Sequence, residues 1–229
     1  MNFTNTNVYN FSNALRAMRH PLESYDKSDS YEQIHLREDG GTDVVFVLGE
    51  NDKKLAQKLI KAGESHRKFL RQILVSVDIT APLYWYKEFD TYKIGTTANS
   101  TSTMHKIQSK PITIDCFETG DYQPSLDSDG GVDHDCVPYQ STVSEYVDCM
   151  LCHLEALRQN YLITKDKRYW KELIRWLPSS WLQTRTVTMS YENLCSMYHQ
   201  RKGHKLTEWS VNFVGWVESL PYAKELICL

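Results

Sequence analysis

"LIKAGESHRKFLRQILVSVDITAPLYWYKEFDTYKIGTTANSTSTMHK", residues 59–106, is the stretch whose reading decides the fold. Ile73, Val75, Val77 and Ile79 alternate with Leu74, Ser76, Asp78 and Thr80, the period of a strand with one buried face. Ala81-Pro82 comes next, and proline suits the first turn of a helix, so residues 83–93 predict a helix. Its exit falls at Ile94-Gly95, where glycine permits the left-handed conformation. Between Thr96 and Thr103 stand six hydroxyls and one amide, Asn99. A linker and a ligand-binding loop both fit such a run. Its place directly behind a strand–helix unit favours a loop held for a reason.

Working outward, "VYNFSNALRAMR" (8–19) reads as an early amphipathic piece and "DVVFVLG" (43–49) as a strand. Asn51 or Asp52 can cap a helix whose Leu55, Leu59 and Ala62 face inward. That helix and its extension carry Lys53, Lys54, Lys58, Lys61, His66, Arg67, Lys68 and Arg71. A solvated face and an anion-facing rim both account for them. Residues 118–135 form an acidic, glycine-rich loop, expected to be flexible. It partly mimics a calcium loop at Asp127 and Asp129, but Pro138 stands where a bidentate Glu is required. After Val143 the pattern predicts helices at 143–162, 166–176, about 190–202 and about 206–225, the last broken at Pro221. Strand and helix are mixed first and helices come last, so the class is α+β, in one domain over residues 1–229.

The composition is that of an ordinary globular protein: 229 residues, 41% hydrophobic, 24% charged, formal net charge −3. No basic excess offers general attraction to nucleic acid or to a membrane surface. No apolar run approaches the roughly 18–20 residues of a membrane helix, and the N-terminus has no hydrophobic signal core. The expectation is a cytoplasmic protein. Six cysteines, at 116, 136, 149, 152, 195 and 228, look mostly like small hydrophobes in helices. "CMLCH" (149–153) matches the covalent haem pattern, yet it falls inside the helical stripe Val143, Val147, Met150, Leu154, Leu157 and Tyr161. A zinc site adding His134 and Cys136 fits no strong spacing. No metal is expected there; helix filler explains the cluster.

Chemistry has few candidates. The helix at 190–202 ends in "HQRKGHK", with Arg201 and Lys202 in its last turn and Gly203 as its cap. Cations there stabilise the helix dipole by up to about 1 kcal/mol. Arg201 also offers a planar fork to a carboxylate or phosphate, which lysine cannot. The tryptophans read as core. No Ser/His/Asp arrangement, phosphate-cradling glycine motif or HExxH occurs.

Two stretches together carry a resemblance. Residues 59–106 are similar to the central region of the flavin-dependent thymidylate synthases: helix, turn, alternating strand, Ala-Pro, helix, then the signature R-H-R-x-x-S-x-x-E-x-S-x-R. The register holds without a gap from Gln72 to His105. "LPSSWLQTRTVTMSYENLCSMYHQRKGHKLTEW" (177–209) resembles the family's "LP … T … N … L … R … H … W" segment. On the signature, the arginine–histidine–arginine triplet falls on Thr91, Tyr92 and Lys93. The first serine falls on Thr96, the glutamate on Asn99, the second serine on Thr101 and the last arginine on Thr103. A glutamine three places earlier falls on Glu88. The later nucleotide-binding arginine is retained as Arg201, and the histidine after it as His204.

The resemblance implies FAD-dependent transfer of a one-carbon unit from methylenetetrahydrofolate to a pyrimidine deoxynucleotide, dUMP to dTMP, with NADPH reducing the flavin. Glu88, Thr96, Asn99, Thr101, Thr103 and Arg201 would bind the substrate. Gln72, Thr91, Tyr92, Lys93, Asn99 and His204 would bind the cofactor. Arg201 would be catalytic, polarising the uracil. The resemblance also implies a homotetramer acting on a small-molecule nucleotide. Replacing the charged signature residues removes charge-assisted hydrogen bonds of about 1.5–3 kcal/mol each. A second reading follows: a catalytically degenerate relative that binds a nucleotide or a protein partner without flavin chemistry.

Overall fold

The computed structural model describes residues 1–120 and 143–229. The acidic loop beyond Gly120 lies outside the described residues, with the Asp127/Asp129 calcium mimic, His134 and Cys136. The class is α+β. A four-stranded sheet runs in the order β1-β4-β6-β5, and β2 and β3 form a two-stranded sheet of their own. The strands are β1 (Asn2–Tyr9), β2 (Tyr31–Leu36), β3 (Thr42–Val47), β4 (Leu74–Pro82), β5 (Thr97–Ser100) and β6 (Leu182–Ser190). Helices include α1 (Phe11–Met18), α2 (Glu50–Lys61), α3 (Leu83–Phe89), α4 (Thr103–Lys106), α5 (Val143–Thr164), α6 (Lys167–Arg175) and α7 (Tyr191–Arg201).

The chain divides into two compact units. The first is Met1–Ile79, Asp90–Asn99 and Arg185–Leu229; the second is Thr80–Phe89 and Ser100–Thr184. In the first, the predicted strand is present and its inward set, Ile73, Val75, Val77 and Ile79, is fully buried. Val187 and Met189 of β6 and Leu194, Cys195 and Met197 of α7 complete that core, each at 0% exposure. Across β1, β4 and β6, Asp78 accepts from Asn5 Nδ2 (2.7 Å) and Thr186 Oγ1 (2.5 Å), which holds its carboxyl below the usual range. Phe3 stacks on Trp216 with centroids 4.6 Å apart, worth about 0.5–1.5 kcal/mol beyond area burial.

The second unit has its own core of Ile107, Ile112, Phe117, Leu154, Leu157 and Leu173. Leu154 and Leu157 belong to the predicted stripe of α5, and Val147, Met150 and Tyr161 are half-buried beside them. Glu155 on the same helix accepts from Arg158 (2.8 and 2.6 Å), the Ile112 amide (2.9 Å) and Gln159 (2.8 Å). Arg158 foremost, against the cost of burial, lowers its pKa to about 2.

Several expectations are corrected. Pro82 closes β4 instead of opening the helix, and α3 stops at Phe89, not at Ile94. The Leu83 and Tyr84 amides donate to Trp181 O and Ser179 O. Asp52 is no helix cap: the N-cap is Gly49, and the Asn51 and Asp52 amides donate to the Asp29 carboxylate. Asp52 is itself buried, accepting from Arg19 Nε (2.5 Å), Ser28 Oγ and the Ser30 amide. The inward face of α2 is Asp52, Ala56 and Ile60, while Ala62 is exposed. The cap of α7 is Lys202 in right-handed geometry, not Gly203. The last helical stretch is a π-helix, Glu208–Phe213, then α8 (Val214–Glu218) and α9 (Ala223–Leu226), and the break over 219–222 contains Pro221 as expected. β6 interrupts what reads as an all-helical second half.

Candidate functional site

The segment Asp90–Asn99 and helix α7 both belong to the first unit. Ser190 caps α7 in a capping box: its hydroxyl accepts from the Asn193 amide, and Asn193 Oδ1 takes the Ser190 N–H. The same Asn193 side chain turns its Nδ2 to Ile94 O at 2.7 Å. Gly95 beside it sits at φ +74°, and a Cβ there would lie 3.2 Å from Asn193 Oδ1. Close approach and left-handed backbone both favour glycine at this position; the left-handed backbone is the one expected from the sequence, although it closes a turn rather than the helix itself. One amide therefore ties the turn after α3 to the head of α7.

At the other end of α7, Arg201 meets Tyr92. The Arg201 Nε donates to Tyr92 Oη (2.8 Å), and that hydroxyl donates on to Gln200 Oε1 (2.8 Å). The guanidinium carbon lies 5.4 Å from the Tyr92 ring centroid and 4.8 Å from that of Trp209. Such cation–π contacts contribute about 0.5–2 kcal/mol, depending on desolvation. Trp209 is fully buried and meets His204 edge-on, centroids 6.3 Å apart. His204 Nδ1 accepts the Leu206 amide at 3.1 Å. The structure thus brings together Tyr92, Arg201 and His204. Trp209, which the sequence assigns to the core, is the floor of this cluster as well.

The hydroxyl run divides. Thr96 Oγ1 is buried and has no hydrogen-bond partner among the described residues. Asn99 is exposed on β5, and Thr91 and Lys93 are exposed in the turn. Thr101, in the second unit, is bound to the sheet: its N–H donates to Thr184 O (2.9 Å) and its Oγ1 accepts the Thr184 amide (3.3 Å). Ser102 caps α4 by accepting from the His105 amide (3.0 Å), and Thr103 opens that helix. The stretch is neither a linker nor a wholly open loop; it contains an edge strand and a short helix. Glu88 is half-buried on α3, and Gln72 is exposed with its carbonyl taken by Asn10 Nδ2 (3.0 Å).

Sequence reasoning misses two residues of the first unit. Arg185 on β6 pairs with Asp90 at 2.7 Å, and no local pattern links positions so far apart. Asn193 has a signal, since an Asn three places after Ser190 fits a capping pair, but not its bond to Ile94. In the basic stretch, Arg67 pairs with Glu192 at 2.9 Å, whereas Lys54, Lys58, Lys61, Lys68 and Arg71 are exposed. Cys149 and Cys152 are exposed instead of filling a core; Cys195 alone of the described cysteines is buried. Among the described residues no three His, Cys, Asp or Glu side chains converge as a metal site, and no helix is long and apolar enough to cross a membrane.

No protein-family model matches the sequence, and no curated protein matches it. Solved structures do. A flavin-dependent thymidylate synthase ThyX from Helicobacter pylori, complexed with FAD and dUMP, superposes with a TM-score of 0.65 at 16% identity, over 99% of this chain and 98% of that one. A second ThyX structure from the same organism, also with FAD and dUMP, gives 0.65 at 17% identity over 99% and 97%. The fold is that of ThyX. At such identity the correspondence concerns the backbone from end to end, and the chemistry has to be argued from this chain's own side chains.

Proposed function

We propose that the chain binds a pyrimidine deoxynucleotide at Arg201 and transfers to it a one-carbon unit from methylenetetrahydrofolate, with FAD as redox cofactor and NADPH as its reductant: dUMP to dTMP. The observation that carries this reading is the clamped guanidinium of Arg201, fixed by Tyr92 Oη and flanked by the Tyr92 and Trp209 rings. Full-length likeness to proteins whose structures hold FAD and dUMP supports it.

The donor set of this unit suits phosphate and carbonyl ligands. Thr96 Oγ1 is a buried hydroxyl without a partner among the described residues, Asn99 offers an exposed amide, and Lys93 an exposed ammonium. Lys93 and Asn99, with Gln72, Thr91, Tyr92 and His204, are the groups that would hold FAD; Thr96 and Asn99 with Arg201 would hold the nucleotide. FAD, when bound, supplies the two-electron chemistry of the transfer. Arg201 donates to a uracil carbonyl and stabilises negative charge developing on the base, an electrostatic effect that a preorganised group delivers without reorganising. Tyr92 sets the plane of that guanidinium, and Trp209 excludes water from one face.

Absorbance tests this. Protein purified without added cofactor, then mixed with FAD and dUMP, is expected to show a stoichiometric flavin spectrum and to convert dUMP once folate and NADPH are supplied. A protein that carries no flavin once unbound FAD has been removed sinks the synthase reading. One observation favours the second reading in that event: Lys93 is the only cation between Thr91 and Thr103. The chain would then be a relative that binds a nucleotide through Arg201 without flavin.

A further inference from the structure

A cleft of about 730 Å³ opens between α1 and the base of the β2–β3 hairpin, entirely within the first unit. Its volume is that of a small-molecule site. Helix α1 and its C-cap supply Ser12, Leu15, Arg16 and Arg19, at the spacing of a single helix face. The hairpin adds Glu32 and Phe46, which are cross-strand neighbours. Both are held to α1: Glu32 Oε1 accepts the Ser12 hydroxyl, and Phe46 stacks on Phe11 with centroids 5.3 Å apart.

The frame of the cleft is fastened from within. Arg19 is 3% exposed, and it donates from Nε to Asp52 (2.5 Å), from Nη1 to Ser24 O (3.1 Å) and from Nη2 to Lys27 O (2.9 Å). Asp52 also accepts the Ser30 amide at 2.9 Å. These bonds fix the turn that carries Tyr25 and Tyr31, which line the cleft yet stay 50% and 57% exposed. Three polar groups of the lining keep unused capacity among the described residues. Glu32 Oε2 has no partner, and Arg16 donates only to Asn13 Oδ1 (3.1 Å). His20 holds the Tyr25 hydroxyl at Nδ1 (2.8 Å) and leaves Nε2 open.

Aromatic rings, a carboxylate and a guanidinium together suit a flat heteroaromatic ring with an anionic tail. The carboxylate narrows the choice. Its two oxygens only accept, and they match two adjacent N–H donors on one edge. Guanine presents such an edge, at N1–H and the 2-amino group. Uracil and thymine flank a single N–H with carbonyls, and adenine and cytosine set a ring-nitrogen acceptor beside their amino group. We infer that this cleft binds a guanine mononucleotide, its base against Tyr25, Tyr31 and Phe46, its two donors on Glu32 and its phosphate on Arg16 and His20. Arg16 follows Ser12 by one helical turn, so the phosphate lies along α1 from the carboxylate that Ser12 holds. The inference does not depend on the proposed chemistry, because none of the residues proposed for dUMP lines this cleft.

Calorimetry with GMP on the full chain tests it. One GMP per chain is expected, with AMP and UMP weaker by about 10-fold or more. IMP, which lacks the 2-amino group, should bind about 10-fold more weakly than GMP. Glu32→Gln should weaken GMP roughly 30-fold and erase most of that preference over IMP. Arg16→Ala should weaken GMP roughly 30-fold while hardly changing guanosine, which has no phosphate. Arg201→Ala should leave GMP binding where it was, which separates this cleft from the proposed dUMP site. Arg16 and Glu32 are exposed, so circular dichroism of both variants should be unaltered. Absence of GMP binding at millimolar concentration overturns the inference. So does equal binding of GMP, AMP and UMP, displacement of GMP by dUMP, or GMP binding that neither Glu32→Gln nor Arg16→Ala weakens.

Discussion

The two ends of the hydroxyl run between Thr96 and Thr103 do different work. At the far end the hydroxyls belong to the fold: Thr101 is bonded to Thr184 on β6, and Ser102 caps a helix. At the near end Thr96 keeps a buried hydroxyl with no partner among the described residues, next to a turn that Asn193 and Gly95 fix in place. Leaving a buried hydroxyl unsatisfied costs about 1–3 kcal/mol, so under the proposed function this is the group that a bound ligand would satisfy. Similar residue types, seven positions apart at most, separate into scaffold and proposed site by what their oxygens touch.

The largest effect that bears on this contrast is at Arg201. Arg201→Ala should weaken dUMP binding about 100-fold by calorimetry, from the loss of two charge-assisted hydrogen bonds. Arg201→Lys should recover little of it, because an ammonium cannot present the fork that Tyr92 orients. Unchanged binding in both would remove Arg201 from the site. Asn193→Ala comes next: it deletes a capping box and the tie to Ile94, and should lower stability by about 1–2 kcal/mol in urea melts.

The sharpest comparison is a pair of near-isosteric changes. Thr96→Val should leave stability level or slightly raised while weakening nucleotide or flavin binding; Thr101→Val should cost about 1 kcal/mol of stability and leave binding alone. The reverse pattern would show that the two ends have been assigned the wrong way round. A smaller, pH-dependent effect belongs to the second unit. Glu155 has a pKa lowered to about 2, so its contribution is full above the usual carboxylate value near 4.5 and fades as pH falls toward 2. Glu155→Gln should therefore be less stable than the unaltered chain at neutral pH, with the gap between their melts closing across that window.

The sequence was most legible where one physical cause acted locally. β4 shows its alternation because one face is buried, and Gly95 shows its role because its left-handed backbone favours glycine. β1, "NFTNTNVY", and β6, "LQTRTVTMS", are mostly polar, so their alternation is carried by few apolar residues and escapes a hydrophobicity reading. Asp52 reads as a cap because the local pattern cannot reveal Arg19, thirty-three positions away. The meeting of Tyr92 with Arg201, 109 positions apart, is likewise a product of the fold; the resemblance marked both residues, but not that one would hold the other. Asn193 lay in plain view as a capping residue, and only its second bond was hidden.

The way the first unit is assembled from three separate segments also has a consequence for biosynthesis. Its N-terminal part emerges from the ribosome first, yet the strand and helices that finish its core, from Arg185 to Leu229, are made last. The second unit, which begins later, has its final residue, Thr184, synthesised before the first unit can close. Domains usually complete in the order they are made. Here the nested segment completes first, and residues such as Ile73, Val75 and Phe11 must wait, exposed or sheltered by a chaperone, until the C-terminal end arrives to cover them.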